Sequence, residues 1–163
     1  NIIPKMLADQ ARLYSYAFDG YWKDVGTIES LWQANMDLLQ DVPPFELNGE
    51  WKIYSSNHSM PPHYVGPDAR VRNSMISEGS MILGEVENSV IFPGVRIGKG
   101  AKITNSVIMP STVIRENAVV DYAIVAQNCE IVEGAKVAGD KGAITVVAEG
   151  ETVMAEAGSK QAG

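Results

Sequence analysis

Apolar positions across residues 91–137 recur at a step of five or six. Ile91, Ile97, Ile103, Ile108, Ile114, Val120, Val125, Ile131 and Val137 are separated by 6, 6, 5, 6, 6, 5, 6 and 6 residues. That period is too long for a pleated strand and does not match a helical turn. It fits short strands joined by corners, with sides of six, six and five residues closing a coil of 17. Whole words repeat at the same 17: Ile97-Gly-Lys-Gly-Ala-Lys, Ile114-Arg-Glu-Asn-Ala-Val and Ile131-Val-Glu-Gly-Ala-Lys, and likewise Asn88-Ser-Val-Ile and Asn105-Ser-Val-Ile. Tyr122-Ala-Ile-Val continues the second series, and Asn73-Ser-Met-Ile precedes it by 15. Coils of this kind stack by parallel pairing, and each buries its aliphatic side chains only against its neighbours.

The same pattern predicts what fills the shaft and where the chain turns. Ala101, Ala118 and Ala135 follow one set of anchors as small interior residues; Ser80, Val95, Thr112 and Cys129 form the equivalent stack on the next side. Gly79, Gly94, Ser111 and Asn128 precede that stack, and Gly100, Asn117 and Gly134 precede the alanines. Glycine and asparagine accept positive φ more readily than other residues, so these are the expected corners. The step from Ile82 to Val86 is only four, so one coil is two residues short and its corner must differ. The fold class read from the pattern is all-β: a triangular parallel β-helix of about four to five coils over residues 65–147.

Upstream the pattern changes. Residues 65–147 hold 24 of the 31 Val and Ile residues but one of seven leucines and two of twelve aromatics, a composition of pleated surfaces rather than helices. In residues 1–40, Ile28, Leu31, Trp32, Leu38 and Leu39 share one helical face, with Thr27 as N-cap, Glu29 in the first turn and Pro43-Pro44 beyond the end. Residues 41–64 read as an extended connector, with an Asn48-Gly49 turn and one short strand around Trp51–Tyr54. Residues 148–163 form a terminal tail, small and polar from 155 onward and expected to be disordered. A formal charge of −7 argues against nucleic acid and anionic membrane surfaces as partners. No apolar run approaches the roughly 18 residues of a spanning helix. One cysteine excludes an internal disulfide framework, and a reducing, cytoplasmic setting is the expectation. A chain opening at Asn1 is expected to be a fragment.

Few residues offer chemistry. His58 and His63 precede the first coil and residues 65–163 contain no histidine, so no coil carries a histidine base; both are expected to be connector residues. Cys129 falls in the small interior stack and reads as a filler rather than a nucleophile. Arg96, Lys99 and Lys102 lie close in sequence and are candidate contacts for an anionic effector; a solvated face is the reading favoured by composition. Asp24 stands in Gly20-Tyr-Trp-Lys-Asp-Val-Gly-Thr27, where a turn or cap is the default role for an acid.

Two resemblances sharpen this. Ile97-Gly98-Lys99-Gly100-Ala101 is similar to the hexapeptide motif of left-handed parallel β-helices, and the hand of the coil is taken from that likeness. The stretch from Gly20 through Asp24 to Leu39, including Ala34-Asn35-Met36-Asp37-Leu38, followed by such a helix, resembles the bacterial glucose-1-phosphate adenylyltransferases from about Tyr14 to Val147. The resemblance implies that residues 1–40 are the last strand and helix of a nucleotidyltransferase catalytic domain, and that the β-helix serves regulation and homotetramer assembly. It implies a reaction of ATP with glucose 1-phosphate giving ADP-glucose and pyrophosphate for glycogen synthesis, with Mg²⁺ as cofactor and Asp24 as one of two metal-holding aspartates. The partner aspartate, the nucleotide loop and the sugar-phosphate lysine fall outside these 163 residues, so the chain alone is expected to be inactive and no cofactor-binding residue is assigned within it. Gly142 to Glu149 resembles a segment where many relatives carry a basic activator-binding residue; Ala148 stands at that position, and weak activation or none is expected. A free-standing assembly module, another sugar-phosphate nucleotidyltransferase and a hexapeptide acyltransferase are the alternatives, the last disfavoured by the histidine-free coils.

Overall fold

The computed structural model describes residues 1–45, 47 and 59–156. The Asn48-Gly49 turn, the strand at Trp51–Tyr54, His58 and residues 157–163 of the tail lie outside the described residues. The rest forms a three-sided parallel solenoid with one helix laid along a face.

The first face has six strands, Tyr64–Val65, Met81–Ile82, Arg96–Ile97, Val113–Ile114, Glu130–Ile131 and Thr152–Val153. The second has five, Arg70–Arg72, Glu85–Glu87, Lys102–Thr104, Val119–Asp121 and Lys136–Ala138. The third also has five, Met75–Ile76, Val90–Ile91, Val107–Ile108, Ala123–Val125 and Thr145–Val147. Every pairing between these strands is parallel, and the register stacks like on like. Ile82, Ile97, Ile114 and Ile131 sit one above another on the first face. Val71, Val86, Ile103, Val120 and Val137 do so on the second, and Ile76, Ile91, Ile108, Val125 and Val147 on the third. These rungs, apart from the exposed Val71 and the half-buried Ile76 of the first coil, join Ala101, Ala118, Ala135, Val95 and Cys129 in one continuous buried core. The hydroxyls buried in the small stack are satisfied: Ser80 Oγ donates to the Phe92 carbonyl at 3.0 Å and Thr112 Oγ1 to the Ala126 carbonyl at 2.9 Å.

The expected corners are real. Gly79, Gly94, Ser111 and Asn128 turn the chain from the third face to the first, and Gly100, Asn117 and Gly134 from the first to the second, all at positive φ between 56° and 72°. A third set, not anticipated, is Asn73, Asn88, Asn105 and Tyr122. Along it the asparagine amides form a ladder, Asn73 Nδ2 donating to Asn88 Oδ1, Asn88 Nδ2 to Asn105 Oδ1 and Asn105 Nδ2 to Asp121 Oδ1 at 2.8–3.0 Å. The serines that follow bind the backbone of the next coil, Ser74 Oγ accepting from Ser89 N–H and Ser89 Oγ from Ser106 N–H at 3.1 Å. The short coil closes at Gly84, where an added Cβ would lie 2.4 Å from the Ala101 carbonyl oxygen and 2.7 Å from that of Gly98. Only glycine lets the backbones approach so closely.

The last coil is longer. Thr145 pairs with Ala123 at a spacing of 22, because residues 139–143 leave the corner as a small loop closed by Asp140 and Ala143. This displacement carries a last first-face strand, Thr152–Val153, into the stretch assigned to the terminal tail.

Upstream, helix α1 (Ile2–Ala8) is exposed along its whole length. Helix α2 (Ile28–Met36) begins at Thr27, whose hydroxyl accepts from Ser30 N–H in a capping box. It tightens into a 3₁₀ turn at Asp37–Leu39, ending before Pro43. Of the expected face, Trp32 and Leu39 are buried together with Met36 and Leu31 packs beside them, whereas Ile28 is exposed. The 3₁₀ turn brings Leu39 three residues on from Met36 and into line with it. That face covers Val90, Val107 and Ile124, the outward side chains of the third face. Trp32 Nε1–H donates to the Asn105 carbonyl at 2.7 Å, and its ring packs at 5.8 Å on Tyr122.

Candidate functional site

Tyr21 to Val25 carries no regular secondary structure and has no ladder partner among the described residues. Tyr21 and Lys23 converge on Asp37, at the end of α2. Lys23 Nζ donates to Asp37 Oδ2 at 2.5 Å and Tyr21 Oη to the same oxygen at 2.9 Å, while Gln33 Nε2 and Gln40 Nε2 donate to Oδ1 at 2.9 and 3.2 Å. Among the described residues Asp37 is the sole buried charged side chain. Tyr21 also stacks on Phe45 at 4.8 Å.

Burial alone would push the Asp37 carboxyl up. Hydrogen bonds from Lys23, Gln33 and Tyr21, with the Lys23 charge, outweigh it and hold Asp37 below the ordinary 3.8. The Tyr21 phenol is raised above 10.0 by burial and then by the hydrogen bond to Asp37 and its charge. A depressed carboxyl stabilises the fold above its unfolded value and loses that contribution as pH falls through the folded one; a raised phenol does so below its unfolded value and loses it as pH rises. The junction between the Tyr21–Val25 segment and α2 is therefore expected to be intact between 3.8 and 10.0 and to loosen outside that window. Tryptophan fluorescence followed against pH should be flat inside it, and a transition near neutrality would contradict the assignment.

Asp24 is exposed. Its Oδ1 accepts the Gly26 N–H at 3.0 Å, a turn that leads directly into the Thr27 cap. No other hydrogen bond engages it among the described residues, so most of its acceptor capacity faces outward. This is the chemistry of a hard-cation ligand. Among the described residues no group of three or more His, Cys, Asp and Glu side chains is arranged to hold a metal ion. Asp37 is saturated by four donors, so the segment offers one carboxylate, which suits Mg²⁺ held jointly with phosphates and a ligand from elsewhere.

The remaining candidates are scattered. Arg96 leaves the first face between Met81 and Val113, Lys102 leaves the second between Glu85 and Val119, and Lys99 occupies the corner between them. They share a coil but not a face. On the second face cations alternate with acids, Arg70 beside Glu85 beside Lys102, and Arg72 forms an ion pair with Glu87. His63 is exposed ahead of the first strand. Cys129 is buried, its Sγ–H donating to the Ala148 carbonyl at 2.9 Å, as an interior filler. Ala148 is exposed, its N–H bound to Glu151 Oε2 at 3.0 Å beside Glu149. Sequence reasoning missed Asp37, which it quoted only inside a longer motif; an acid spaced by four from Gln33 and by three from Gln40, beside the apolar face of the helix, was the available signal.

A three-sided solenoid of five- and six-residue steps is the architecture of hexapeptide-repeat proteins. The chain belongs to that class: the model of the GlmU-like, C-terminal hexapeptide family matches residues 63–153, and the nucleotidyl transferase model matches residues 1–41. Curated proteins named glucose-1-phosphate adenylyltransferase are similar to it. That of Clostridium perfringens is 48% identical over 162 residues, covering 99% of this chain and 41% of the relative. Those of Desulforamulus reducens and Clostridium novyi are 58% and 54% identical over 104 residues, 63% of this chain and 26% and 27% of theirs. The chain thus spans between about a quarter and about two fifths of the length of these relatives. No helix among the described residues is long and apolar enough to cross a membrane.

Proposed function

We propose that the chain is the C-terminal portion of a glucose-1-phosphate adenylyltransferase, in which the solenoid serves assembly and regulation and residues 1–40 complete the edge of the catalytic domain. One observation carries the reading. Leu13, Tyr14, Tyr16, Phe18, Trp22 and Val25 are all exposed, immediately ahead of a well-capped and well-packed α2. So dense an apolar run requires a covering surface. A nucleotidyltransferase portion placed ahead of these residues would be the natural cover, and it would give the unpaired Tyr21–Val25 segment its sheet.

In that setting glucose 1-phosphate attacks the α-phosphate of ATP, releasing pyrophosphate. Phosphoryl chemistry of this kind rests on positioning and charge neutralisation. Asp24 would hold Mg²⁺, which when bound supplies positive charge among the phosphates. The acidic surroundings of Ala148 support weak activation or none by phosphorylated metabolites. The first coil leaves Val65 and Val71 exposed at an open end, which supports association into a homo-oligomer, a tetramer by the family's pattern.

The test compares the 163-residue chain with the protein that includes the reading frame ahead of Asn1. ADP-glucose synthesis is expected from the longer protein with Mg²⁺ and to be at background for the shorter one. Turnover by the 163 residues alone would overturn the assignment of the missing ligands to the upstream part.

A further inference from the structure

Lys23 and Asp24 are neighbours in sequence, yet their side chains take separate partners, Asp37 Oδ2 for the one and the Gly26 N–H for the other. A lysine next to a lone exposed carboxylate is a competitor for any metal ion that carboxylate is meant to bind. Its flexible stem lets the ammonium swing toward the acid, and an opposite charge within a few ångströms would neutralise it. Here that does not happen. The ammonium is drawn 14 residues along the chain to Asp37, at 2.5 Å. Asp37 is itself buried and fixed by Tyr21, Gln33 and Gln40, so it cannot follow the lysine outward. Those four donors match the acceptor capacity of an ionised carboxylate.

We propose that Asp37 is a positioning residue for cation binding at Asp24: by holding the Lys23 ammonium on the α2 side of the segment, it leaves the Asp24 carboxylate free for a divalent cation. The inference rests on the reading of Asp24 as a metal ligand. It assigns Asp37 a task that neither its burial nor its place in the motif requires. The Gly26 N–H and the Thr27–Ser30 capping box fix Asp24 from the downstream side. Asp37 holds Lys23, the residue just before Asp24, and so removes its competitor. A partner once removed from the metal typically changes affinity by about 10–100-fold when lost.

The experiment uses the full-length protein with ADP-glucose bound and Mn²⁺ as the probe, free Mn²⁺ being read by electron paramagnetic resonance. Asp37→Asn should weaken Mn²⁺ binding about 10–100-fold. Combining it with Lys23→Gln, which removes the competing charge, should restore affinity to within about threefold of wild type. A purely structural Asp37 would not be rescued in this way, so a double variant as weak as Asp37→Asn overturns the proposal. So does an Asp37→Asn protein that binds like wild type while Asp24→Asn does not. If instead Asp24→Asn leaves Mn²⁺ affinity unchanged, the metal reading of Asp24 itself falls, a different failure. The double variant buries no unpaired charge and keeps the test decisive should Asp37→Asn not fold: wild-type-like affinity supports the proposal, and a tenfold loss overturns it.

Discussion

Ile114→Asp is expected to abolish folding of the solenoid. Ile114 is 1% exposed and lies between Ile97 and Ile131 in the first-face rung. Truncating a buried isoleucine costs about 2–5 kcal/mol, and placing a carboxylate in a dry shaft with no donor nearby adds several kcal/mol more. The sum reaches the whole stability of an ordinary domain, about 5–15 kcal/mol. A solenoid has little way to absorb such damage, since each coil is stabilised through its neighbours and the loss of a central one separates the two ends. Ile114→Val, which keeps the rung apolar, should cost only about 0.5–1.5 kcal/mol. Urea unfolding followed by circular dichroism would rank the variants. A soluble Ile114→Asp protein with the wild-type midpoint would show that the rung is not buried as described.

The fold was legible because a solenoid writes its contacts into the sequence as a period. Ile97, Ile114 and Ile131 are 17 apart for the same reason that they touch, so spacing and register are one fact. The corners at Gly100 and Asn128 could be read because positive φ restricts the residue type. The Asn73–Asn88–Asn105 corner was visible as a repeated Asn-Ser word, but its meaning, a ladder of side-chain amides along the axis, appears only when the coils are stacked. The loop at 139–143 interrupts the period and so removed the signal that would have placed Thr152–Val153. Helix α1 has no capping side chain and buries nothing, which leaves no pattern to find. The site divides in the same way. Asp24 was legible as part of a word, whereas Asp37 matters through Tyr21 and Lys23, 16 and 14 residues away, and periodicity carries no record of a pairing made once.

Trp32→Ala is expected to release α2 from the third face while the shaft survives. Trp32 is buried, bonded through Nε1 to the Asn105 carbonyl and packed on Tyr122. Removing a buried tryptophan costs about 3–5 kcal/mol, against about 1 kcal/mol for Trp32→Phe, which gives up chiefly the hydrogen bond. None of that loss falls on the rungs, because Val90, Val107 and Ile124, the outer residues that α2 covers, belong to a cluster separate from the interior one. Hydrogen exchange should therefore show the α2 amides losing protection while the amides of Val113–Ile114 and Val119–Asp121 keep theirs. Equal loss in both would mean that helix and solenoid fold as a single cooperative unit. The consequence reaches the candidate site, since α2 and its 3₁₀ turn carry Gln33 and Asp37 and through them fix Tyr21 and Lys23. A helix that no longer rests on Asn105 holds Asp24 less firmly, so in the full-length protein Trp32→Ala should weaken Mn²⁺ binding even though Trp32 touches no ligand.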